Sequence, residues 1–330
     1  MKKSSYEYLA PRTAAMGQRW LVTGAAGFIG SHLAEALLSL GQDVVGLDNL
    51  SSGFARNLEA AERAADPQGR FHFLCGDIRD KEVCRAACEG VGVVLHHAAL
   101  VSVSVSVIDP AAAHAVNVDG FFNMLEAARE SGVRRFVYAS SSAVYGDAAV
   151  LPLREEDAIL SVLSPYAATK KINELYADAW GKIYGLNCVG LRYFNVFGPR
   201  QDPESPYSAV IPRWTDALSR GLPVSIYGDG KQTRDFCYVK NVVQANLLAA
   251  FIETGGVCNV ACGRETTLIE LFETLKQTVA PASNCRPVHE SPRPGDITRS
   301  FASIDRARLL LGYKPLYSLE EGLAEMGEER

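Results

Sequence analysis

The sequence lacks the features that mark several classes of protein. It has no run of eighteen apolar residues, and its first twenty residues contain no apolar core of the kind found in signal peptides. The eight cysteines are scattered, with no C-x-x-C pair and no accompanying pair of histidines, so we expect reduced thiols and no metal site. A net charge of -5 argues against a nucleic-acid partner. We therefore expect a cytoplasmic protein without a membrane partner.

The first half of the chain alternates short apolar runs with amphipathic segments. The segments between the runs have helical spacing, as in FIGSHLAEALLSLG. This βαβ rhythm predicts an α/β fold with a Rossmann-type, doubly wound parallel sheet. The apolar runs are RWLVTG, DVVGLD, FHFLCGD, GVVLHHAA, RFVYASS and NCVGLRYFN.

The composition changes after about residue 196, where proline and glycine interrupt shorter pieces such as VFGPRQDPESP. This change predicts a smaller, loop-rich C-terminal α/β domain. We expect residues 17–195 to form the nucleotide-binding domain, with 241–260 returning to it. Residues 196–240 and 261–330 would form the second domain, and residues 1–16 an N-terminal extension.

Three glycines lie in LVTGAAGFIGSHL, between the first predicted strand and the first predicted helix. Gly24, Gly27 and Gly30 allow a tight turn, in which backbone N–H groups and the helix N-terminus approach a pyrophosphate. Asp48 ends the second predicted strand, where a carboxylate accepts hydrogen bonds from ribose hydroxyls and repels a 2′-phosphate. The pattern therefore predicts NAD rather than NADP as the cofactor. The alternative is a close helix–strand contact that needs glycines but binds no ligand.

A serine cluster and a tyrosine–lysine pair follow the fifth predicted strand. In SPYAATKK, Ser164 is the predicted N-cap of a helix, and Tyr166 and Lys170 share one helical face. A neighbouring ammonium and a nicotinamide cation would lower the pKa of the phenol from about 10 toward neutrality. Tyr166 would then act as an acid–base group, with Ser141 or Ser142 bonded to a substrate hydroxyl. The alternative is an ordinary solvated tyrosine–lysine pair.

With these motifs the chain resembles the extended short-chain dehydrogenase/reductase family, most of all its UDP-sugar 4-epimerases. The resemblance implies an NAD-dependent isomerase that interconverts UDP-N-acetylglucosamine and UDP-N-acetylgalactosamine, and also UDP-glucose and UDP-galactose. It further implies a homodimer built from the helix at about residues 116–130 and the helix that begins near Tyr166. The shared motifs are VTGAAGFIG, LDNL, GDIRD, HHAA, NVDG, SSSAVYGD, SPYAATK, LRYFNVFGPRQDP, GDGKQTRDFCYV, RPGDI and LGYKP.

The same resemblance implies roles for individual residues. Tyr166 is the acid–base group at the sugar 4-hydroxyl, Lys170 holds the nicotinamide ribose, and Ser141 has the catalytic Ser/Thr position with Ser142 beside it. The implied cofactor-binding residues are Gly24, Gly27, Phe28, Ile29, Gly30, Asp48, Asn49, Gly53, Asp77, Ile78, Ala98, Ala99, Asn117, Tyr166, Lys170, Tyr193 and Val196. The implied substrate-binding residues are Ser102, Ser104, Ser141, Ser142, Asn195, Val210, Tyr227, Arg234, Arg293, Asp296 and Ser300.

For three of these substrate residues, the chemistry of the side chain agrees with the implied role. Arg234 and Arg293 suit a diphosphate, because a guanidinium offers paired donors to anionic oxygens; the alternative for each is a surface ion pair. Ser300 falls where the family has a gate residue whose bulk restricts the 2-substituent of the hexose. A serine there leaves room for an N-acetyl group.

The segment AALVSVSVSVIDP departs from the family's pattern. Its alternation of valine and serine is typical of a half-buried strand, but it directly follows the apolar run of residues 91–97. The usual form in the family resembles SVPRS and lies beside the nicotinamide. We therefore predict that residues 102–107 form a loop over the active site, with Ser102 and Ser104 as sugar contacts. A short edge strand is the alternative.

Three other functions remain as alternatives. A nucleotide-sugar 4,6-dehydratase needs an acid–base pair where this chain has Ser142 and Ala143. A decarboxylase that makes UDP-xylose needs a site for a C6 carboxylate, and none is identified. A non-catalytic NAD-binding regulator is expected to lose the tyrosine, the lysine or the serine, all of which are present.

Overall fold

The computed structural model describes residues 5–148, 150–157, 161–202, 209–281, 285–292 and 297–328. In that part of the chain, no helix is both long and apolar enough to cross a membrane. The strands are β1 (Arg19–Thr23), β2 (Asp43–Asp48), β3 (Arg70–Cys75), β4 (Val91–His96), β5 (Arg135–Ser141), β6 (Asn187–Tyr193), β7 (Val196–Phe197), β8 (Ser225–Tyr227), β9 (Thr233–Arg234), β10 (Cys237–Tyr238), β11 (Gly256–Val260), β12 (Thr266–Thr267) and β13 (Val288–Glu290).

Among the described residues, helices surround these strands, together with two 3₁₀ turns, Glu7–Leu9 and Ser142–Tyr145, and one π-helical turn, Ala115–Asp119. The α-helices are α1 (Ala10–Met16), α2 (Phe28–Ser39), α3 (Ala55–Arg63), α4 (Lys81–Cys88), α5 (Val103–Ile108), α6 (Pro110–His114), α7 (Gly120–Glu130), α8 (Pro165–Tyr184), α9 (Val210–Ser219), α10 (Val239–Ala249), α11 (Leu268–Val279), α12 (Asp305–Leu311) and α13 (Leu319–Glu328).

Seven strands form one parallel sheet in the order β11-β6-β5-β4-β1-β2-β3. Strand β1 pairs with β2 on one side and β4 on the other, so the chain changes direction across the sheet at β1. A crevice opens at the carboxyl ends of strands at such a point, and ligands bind there in this class of fold. The three small sheets, β10-β7, β12-β9 and β13-β8, involve the C-terminal half. These features confirm the predicted fold class.

The central strands of the sheet are buried on both faces. Trp20 and Val22 in β1 belong to the apolar cluster that includes α2 and α10, whereas Leu21 belongs to the cluster on the α4 and α7 side. Successive side chains of a strand point to opposite faces, which explains this division. A third cluster, with Trp214 of α9 and Phe272 of α11, forms the core of the C-terminal half.

The valine–serine segment is neither the predicted loop nor the alternative strand, because residues 103–108 form helix α5. The Ser102 hydroxyl caps this helix by accepting a hydrogen bond from the Val105 backbone N at 3.1 Å. The segment cannot pair with β4, the strand that it follows, because β4 already pairs with β1 and β5. The helix buries Ser106 and exposes Val103 and Val107.

The N-terminal extension packs against α10 and the segment before α13. Tyr6 is buried, and its hydroxyl donates to the Lys240 backbone O at 2.9 Å. Gln244 donates from Nε2 to the Tyr8 hydroxyl at 3.0 Å. A further hydrogen bond of 2.6 Å joins the side-chain oxygens of Ser5 and Tyr317. This short segment therefore links α10 to the C-terminal part of the chain.

Candidate active site

The turn between β1 and α2 is shaped by backbone contacts that exclude side chains. Gly24 has a φ of +69°, and a Cβ there would lie 2.8 Å from the Ala98 backbone N. A Cβ on Gly30 would lie only 2.0 Å from the Gly24 backbone O. Gly27 immediately precedes the first turn of α2, in which Phe28 and Ile29 follow. The turn therefore leaves the α2 N-terminus accessible to a pyrophosphate, and these residues fit the predicted dinucleotide.

Asp48 ends β2 beside this turn. One carboxylate oxygen accepts from the Ala26 backbone N at 2.9 Å, and the other accepts from the Leu50 backbone N at 2.8 Å. A carboxylate oxygen accepts more than one hydrogen bond, so each retains acceptor capacity for a ribose hydroxyl. At Gly53, a Cβ would lie 2.7 Å from the Ala26 side chain. Asp48 is thus positioned by the same turn that forms the pyrophosphate cradle.

The residues predicted for the adenine side lie together after β2 and β3. Asn49 donates from Nδ2 to an Asp77 carboxylate oxygen at 2.8 Å. Arg79 forms an ion pair of 2.7 Å with Asp77, and its hydrogen bond lowers the pKa of that carboxyl well below the ordinary value. The side chain of Ile78 is buried against Gly120.

Asn117 and Tyr193 are both buried, with polar groups already bonded within the protein. The Asn117 amide accepts from the Leu100 backbone N at 2.8 Å and donates to the Leu100 backbone O at 2.9 Å. Asn117 thus holds the loop that contains Ala98 and Ala99. The Tyr193 hydroxyl accepts from Asn246 Nδ2 at 2.8 Å, and Val196 follows in β7.

Sequence reasoning missed two residues on this side of the site. The Thr23 hydroxyl accepts from the backbone N atoms of His97 and Ala98, each at 3.0 Å, and so fixes the start of the loop after β4. His97 stacks on the Tyr193 ring, and its Nε2 lies 2.7 Å from the Tyr193 hydroxyl. The position of Thr23 at the carboxyl end of β1 is the sequence feature that could have identified it as a site residue. Nothing in the local sequence indicates the His97–Tyr193 contact.

The structure brings Ser141, Tyr166 and Lys170 together at the carboxyl end of β5. Tyr166 lies in the first turn of α8 and is buried, and the Ser141 side chain lies close enough to lower the pKa of its phenol. Lys170 Nζ lies 5.9 Å from the centre of the Tyr166 ring and donates to the Ala139 backbone O at 2.8 Å. Ser142 follows Ser141 and begins a 3₁₀ turn. Tyr166 and Lys170 are therefore a buried pair, not a solvated one.

The pKa of Tyr166 does not move in the direction that the sequence analysis predicted. Burial raises the pKa of Tyr166 above its ordinary value, and the Ser141 hydrogen bond only partly opposes this. Burial also lowers the pKa of Lys170 to about 8, which leaves the amine mostly protonated at neutral pH. Desolvation penalises the charged form of each group. The protein alone therefore does not lower the pKa of the phenol. The positive charge of a bound nicotinamide is the other group that was expected to lower this pKa.

The residues predicted for the nucleotide sugar lie on several elements. Arg234 in β9 donates from Nη1 to the Ile297 backbone O at 2.6 Å. Asn195 follows β6 and donates from Nδ2 to the Asp235 backbone O at 3.2 Å. Tyr227 is in β8, Val210 begins α9, and Ser300 is buried before α12. Ser102 caps α5 and Ser104 is exposed on it, whereas Arg293 and Asp296 lie outside the described residues.

Asp235 links several of these elements, although no motif in the sequence singled it out. Its carboxylate is fully buried and accepts from the backbone N atoms of Cys262 and Gly263, each at 2.9 Å. Burial raises the pKa of Asp235 to about 6, against the lowering effect of these hydrogen bonds. Asp235 therefore joins the segment around residue 262 to the strand that contains Arg234 and to Asn195.

Comparisons with known proteins agree with this geometry. The model of the NAD dependent epimerase/dehydratase family matches residues 20–261. A UDP-glucose 4-epimerase from Mycolicibacterium smegmatis is 41% identical over 313 residues, which cover 94% of this chain and 97% of that protein. The structure of a UDP-N-acetylglucosamine 4-epimerase from Methanobrevibacter ruminantium M1, in complex with UDP-N-acetylmuramic acid, is 39% identical with a TM-score of 0.88, covering 94% of this chain and 97% of that one.

The structure of a Thermus thermophilus UDP-glucose 4-epimerase in complex with NAD is 38% identical with a TM-score of 0.81. It covers 94% of this chain and 98% of that one. The family match spans more than half of the chain, and these relatives align with nearly all of it. The protein therefore belongs to the NAD dependent epimerase/dehydratase family, and NAD is its cofactor.

Proposed function

We propose that this protein is a UDP-sugar 4-epimerase that interconverts UDP-N-acetylglucosamine and UDP-N-acetylgalactosamine, and that it also accepts UDP-glucose and UDP-galactose. The observation that carries the proposal is the burial of Tyr166 and Lys170 side by side, with Ser141 close to the phenol, at the carboxyl edge of the sheet where the glycine turn also lies. The relatives with 38–41% identity support 4-epimerase chemistry on a UDP-sugar. The small side chain of Ser300 supports the N-acetylated substrate.

The side chains supply proton transfer at the 4-hydroxyl of the sugar. Tyr166 accepts the hydroxyl proton and returns it, while Ser141 orients the phenol and the substrate oxygen. NAD, when held by the glycine turn and Lys170, would supply reversible hydride transfer at C4 with no net oxidation of the sugar. Because burial raises the pKa of Tyr166 and the protein alone does not reverse this rise, the positive charge of the bound cofactor would be needed to favour the phenolate.

The nucleotide half of the substrate must be bound firmly, whereas the sugar half must be bound loosely. The diphosphate would be held by Arg234, with Asn195 and Tyr227 on neighbouring segments. Binding energy from this remote half can be used to hold the reacting carbon near Tyr166. The 4-keto sugar must turn about its bond to the diphosphate before the second face is presented, so the sugar pocket has to bind loosely.

We extend the proposal to a homodimer formed through α7 and α8. Leu175 and Ile183 on α8 are 60% and 69% exposed, and Phe122 of α7 packs edge-on against Trp180 of α8. Exposed apolar side chains beside such an aromatic cluster are typical of an association surface. Sedimentation equilibrium should give twice the mass of one chain, and Leu175→Glu should shift the protein to the mass of one chain.

Proton NMR of the purified protein tests the reaction directly. The protein is mixed with UDP-N-acetylglucosamine or, separately, with UDP-glucose, and no NAD is added. We expect the galacto-configured product from both sugars, with the faster rate on the acetylated one and with cofactor retained from purification. If neither sugar changes even after NAD is supplied, the 4-epimerase proposal is wrong, and dehydrated or decarboxylated products become the next species to seek.

The Ser300→Tyr variant tests the proposed gate. The phenol would occupy the space for the 2-substituent, so kcat/KM for UDP-N-acetylglucosamine should fall at least about tenfold further than kcat/KM for UDP-glucose. Ser300→Ala keeps the side chain small and should preserve the ratio of the two values. Equal losses on both substrates in Ser300→Tyr would remove Ser300 from the specificity determinants.

A further inference from the structure

Helix α5 supplies a hydrogen bond to the backbone of the acid–base residue. The Ser106 hydroxyl accepts from the Tyr166 backbone N at 3.0 Å and donates to the Val103 backbone O at 2.7 Å. Ser106 is completely buried. We propose that Ser106 is a positioning residue for Tyr166, which connects the valine–serine helix to the reaction. The inference rests on the proposed function only in taking Tyr166 as the acid–base group.

The need for this bond follows from the way α8 begins. The first backbone N–H groups of a helix have no partner within it. Pro165 has no N–H, and the Ser164 hydroxyl accepts from the Ala167 backbone N at 3.1 Å. The Tyr166 N–H lies between them, in a buried place where an unpaired donor is costly. Ser106, sixty residues earlier in the chain, satisfies it.

The two ends of Tyr166 therefore meet different elements. Ser106 on α5 bonds to its backbone, whereas Ser141 at the end of β5 lies close to its phenol. The next turn of α8 is fixed independently, because Thr169 receives a hydrogen bond from Asn117 Nδ2 at 3.1 Å and Lys170 bonds to Ala139. Loss of the Ser106 bond would thus affect the start of α8 most. A displacement of about 1 Å at a reacting group can cost about 100-fold in rate.

The same short helix also carries the residues predicted for the sugar side of the site. Ser102 forms the N-cap of α5, and the exposed Ser104 lies between it and Ser106. A sugar contact with the start of α5 would therefore be transmitted to Tyr166 through a single helical turn. Ser106 itself is buried and bonded to two backbone groups, so its role would lie in the turnover of the bound substrate rather than in direct contact with it.

The Ser106→Ala variant tests the inference through a split between kcat and KM. We expect kcat for UDP-N-acetylglucosamine to fall about tenfold and KM to stay within about twofold of the wild-type value. Ser106→Cys keeps the size of the side chain with a weaker acceptor and should lie between the two. Ser39→Ala is the matched control, because the Ser39 hydroxyl makes the same kind of bond to the carbonyl three residues earlier, at 2.8 Å, far from the site.

A second readout does not depend on turnover. In protein labelled with ¹³C at tyrosine Cζ, the Tyr166 signal is identified by its absence in Tyr166→Phe. We expect this signal to be displaced in Ser106→Ala and unchanged in Ser39→Ala. If Ser106→Ala does not fold, the same two measurements are made on Ser106→Cys.

The outcomes separate this inference from the proposed function. A wild-type protein that converts no UDP-sugar contradicts the proposed function, whereas a displaced Tyr166 signal in the variant still supports the role of Ser106. A variant with a lower melting temperature but with wild-type kcat and an unmoved Tyr166 signal shows a merely structural bond. That result overturns the inference.

Discussion

Tyr166→Phe is expected to lower kcat on UDP-sugars by a factor of about 10² to 10⁴, which is the usual contribution of a positioned acid–base group. The substitution removes only the hydroxyl that lies near Ser141, and the ring should remain buried in the same place. The KM for the nucleotide sugar should change little, because the proposed diphosphate contact is Arg234 and not Tyr166. The measurement is the NMR assay with both UDP-N-acetylglucosamine and UDP-glucose.

The control for this variant is Tyr8→Phe, which removes a hydroxyl from the N-terminal extension, outside the candidate site. It should turn over substrate like the wild type. The amount of NAD that copurifies should be equal in Tyr166→Phe and the wild type, which separates loss of chemistry from loss of cofactor. Full turnover by Tyr166→Phe would show that another group transfers the proton.

Arg192→Leu is expected to produce the largest loss of stability, because it breaks a buried ion pair. Arg192 and Glu174 are joined by two hydrogen bonds, of 2.8 and 2.9 Å, and their side chains are only 2% and 5% exposed. The Ser140 hydroxyl donates to the same carboxylate at 2.7 Å. Removing Arg192 leaves the buried Glu174 carboxylate with the partly exposed Lys171, 3.2 Å away, as its remaining ion-pair partner, so the free energy of unfolding should fall by about 3–5 kcal/mol. Urea denaturation with an unchanged m value measures it.

Two further variants make this prediction specific. The double variant Arg192→Leu/Glu174→Leu replaces both charges with apolar side chains and should recover most of the lost free energy. Lys182→Ala breaks the exposed Lys182–Asp178 pair on the same helix and should cost less than about 1 kcal/mol. A similar cost for Arg192→Leu and Lys182→Ala would show that the buried pair does not stabilise the fold.

The pH dependence of this pair has a definite sign. Burial raises the pKa of Glu174, but the hydrogen bond and charge of Arg192 outweigh it, so the pKa in the folded protein lies below the ordinary value. The stabilising contribution is therefore present above the pKa of glutamate in the unfolded chain. It is lost as the pH falls through the lower value of the folded state.

The residues whose positions depend on neighbours along the chain were predictable from the sequence. The glycine turn is one case, because the spacing of Gly24, Gly27 and Gly30 between a strand and a helix dictates close backbone contacts. The pairing of Tyr166 with Lys170 is another, because residues four apart lie on one face of a helix. Asp48 was predictable for a similar reason, since it ends the strand next to the turn.

The valine–serine segment shows where this reasoning fails. Alternation is a reliable sign of a strand only if a neighbouring strand is free to pair, and β4 has its two neighbours already. The Ser102 cap and the burial of Ser106 against α8 decide in favour of a helix. Both the predicted loop and the alternative strand neglected a contact that spans sixty residues of the chain.

The sequence by itself determined the sheet, the cofactor turn and the spacing of the tyrosine–lysine pair, because these depend on short-range spacing and on the order of strands and helices. Only the tertiary structure decided how buried the pair is, which residues hold it, and in which direction the pKa values move. The Ser106–Tyr166, His97–Tyr193 and Arg192–Glu174 contacts join residues that are not neighbours in the chain. Their burial sets the local dielectric environment, and this environment is a property of the packed molecule.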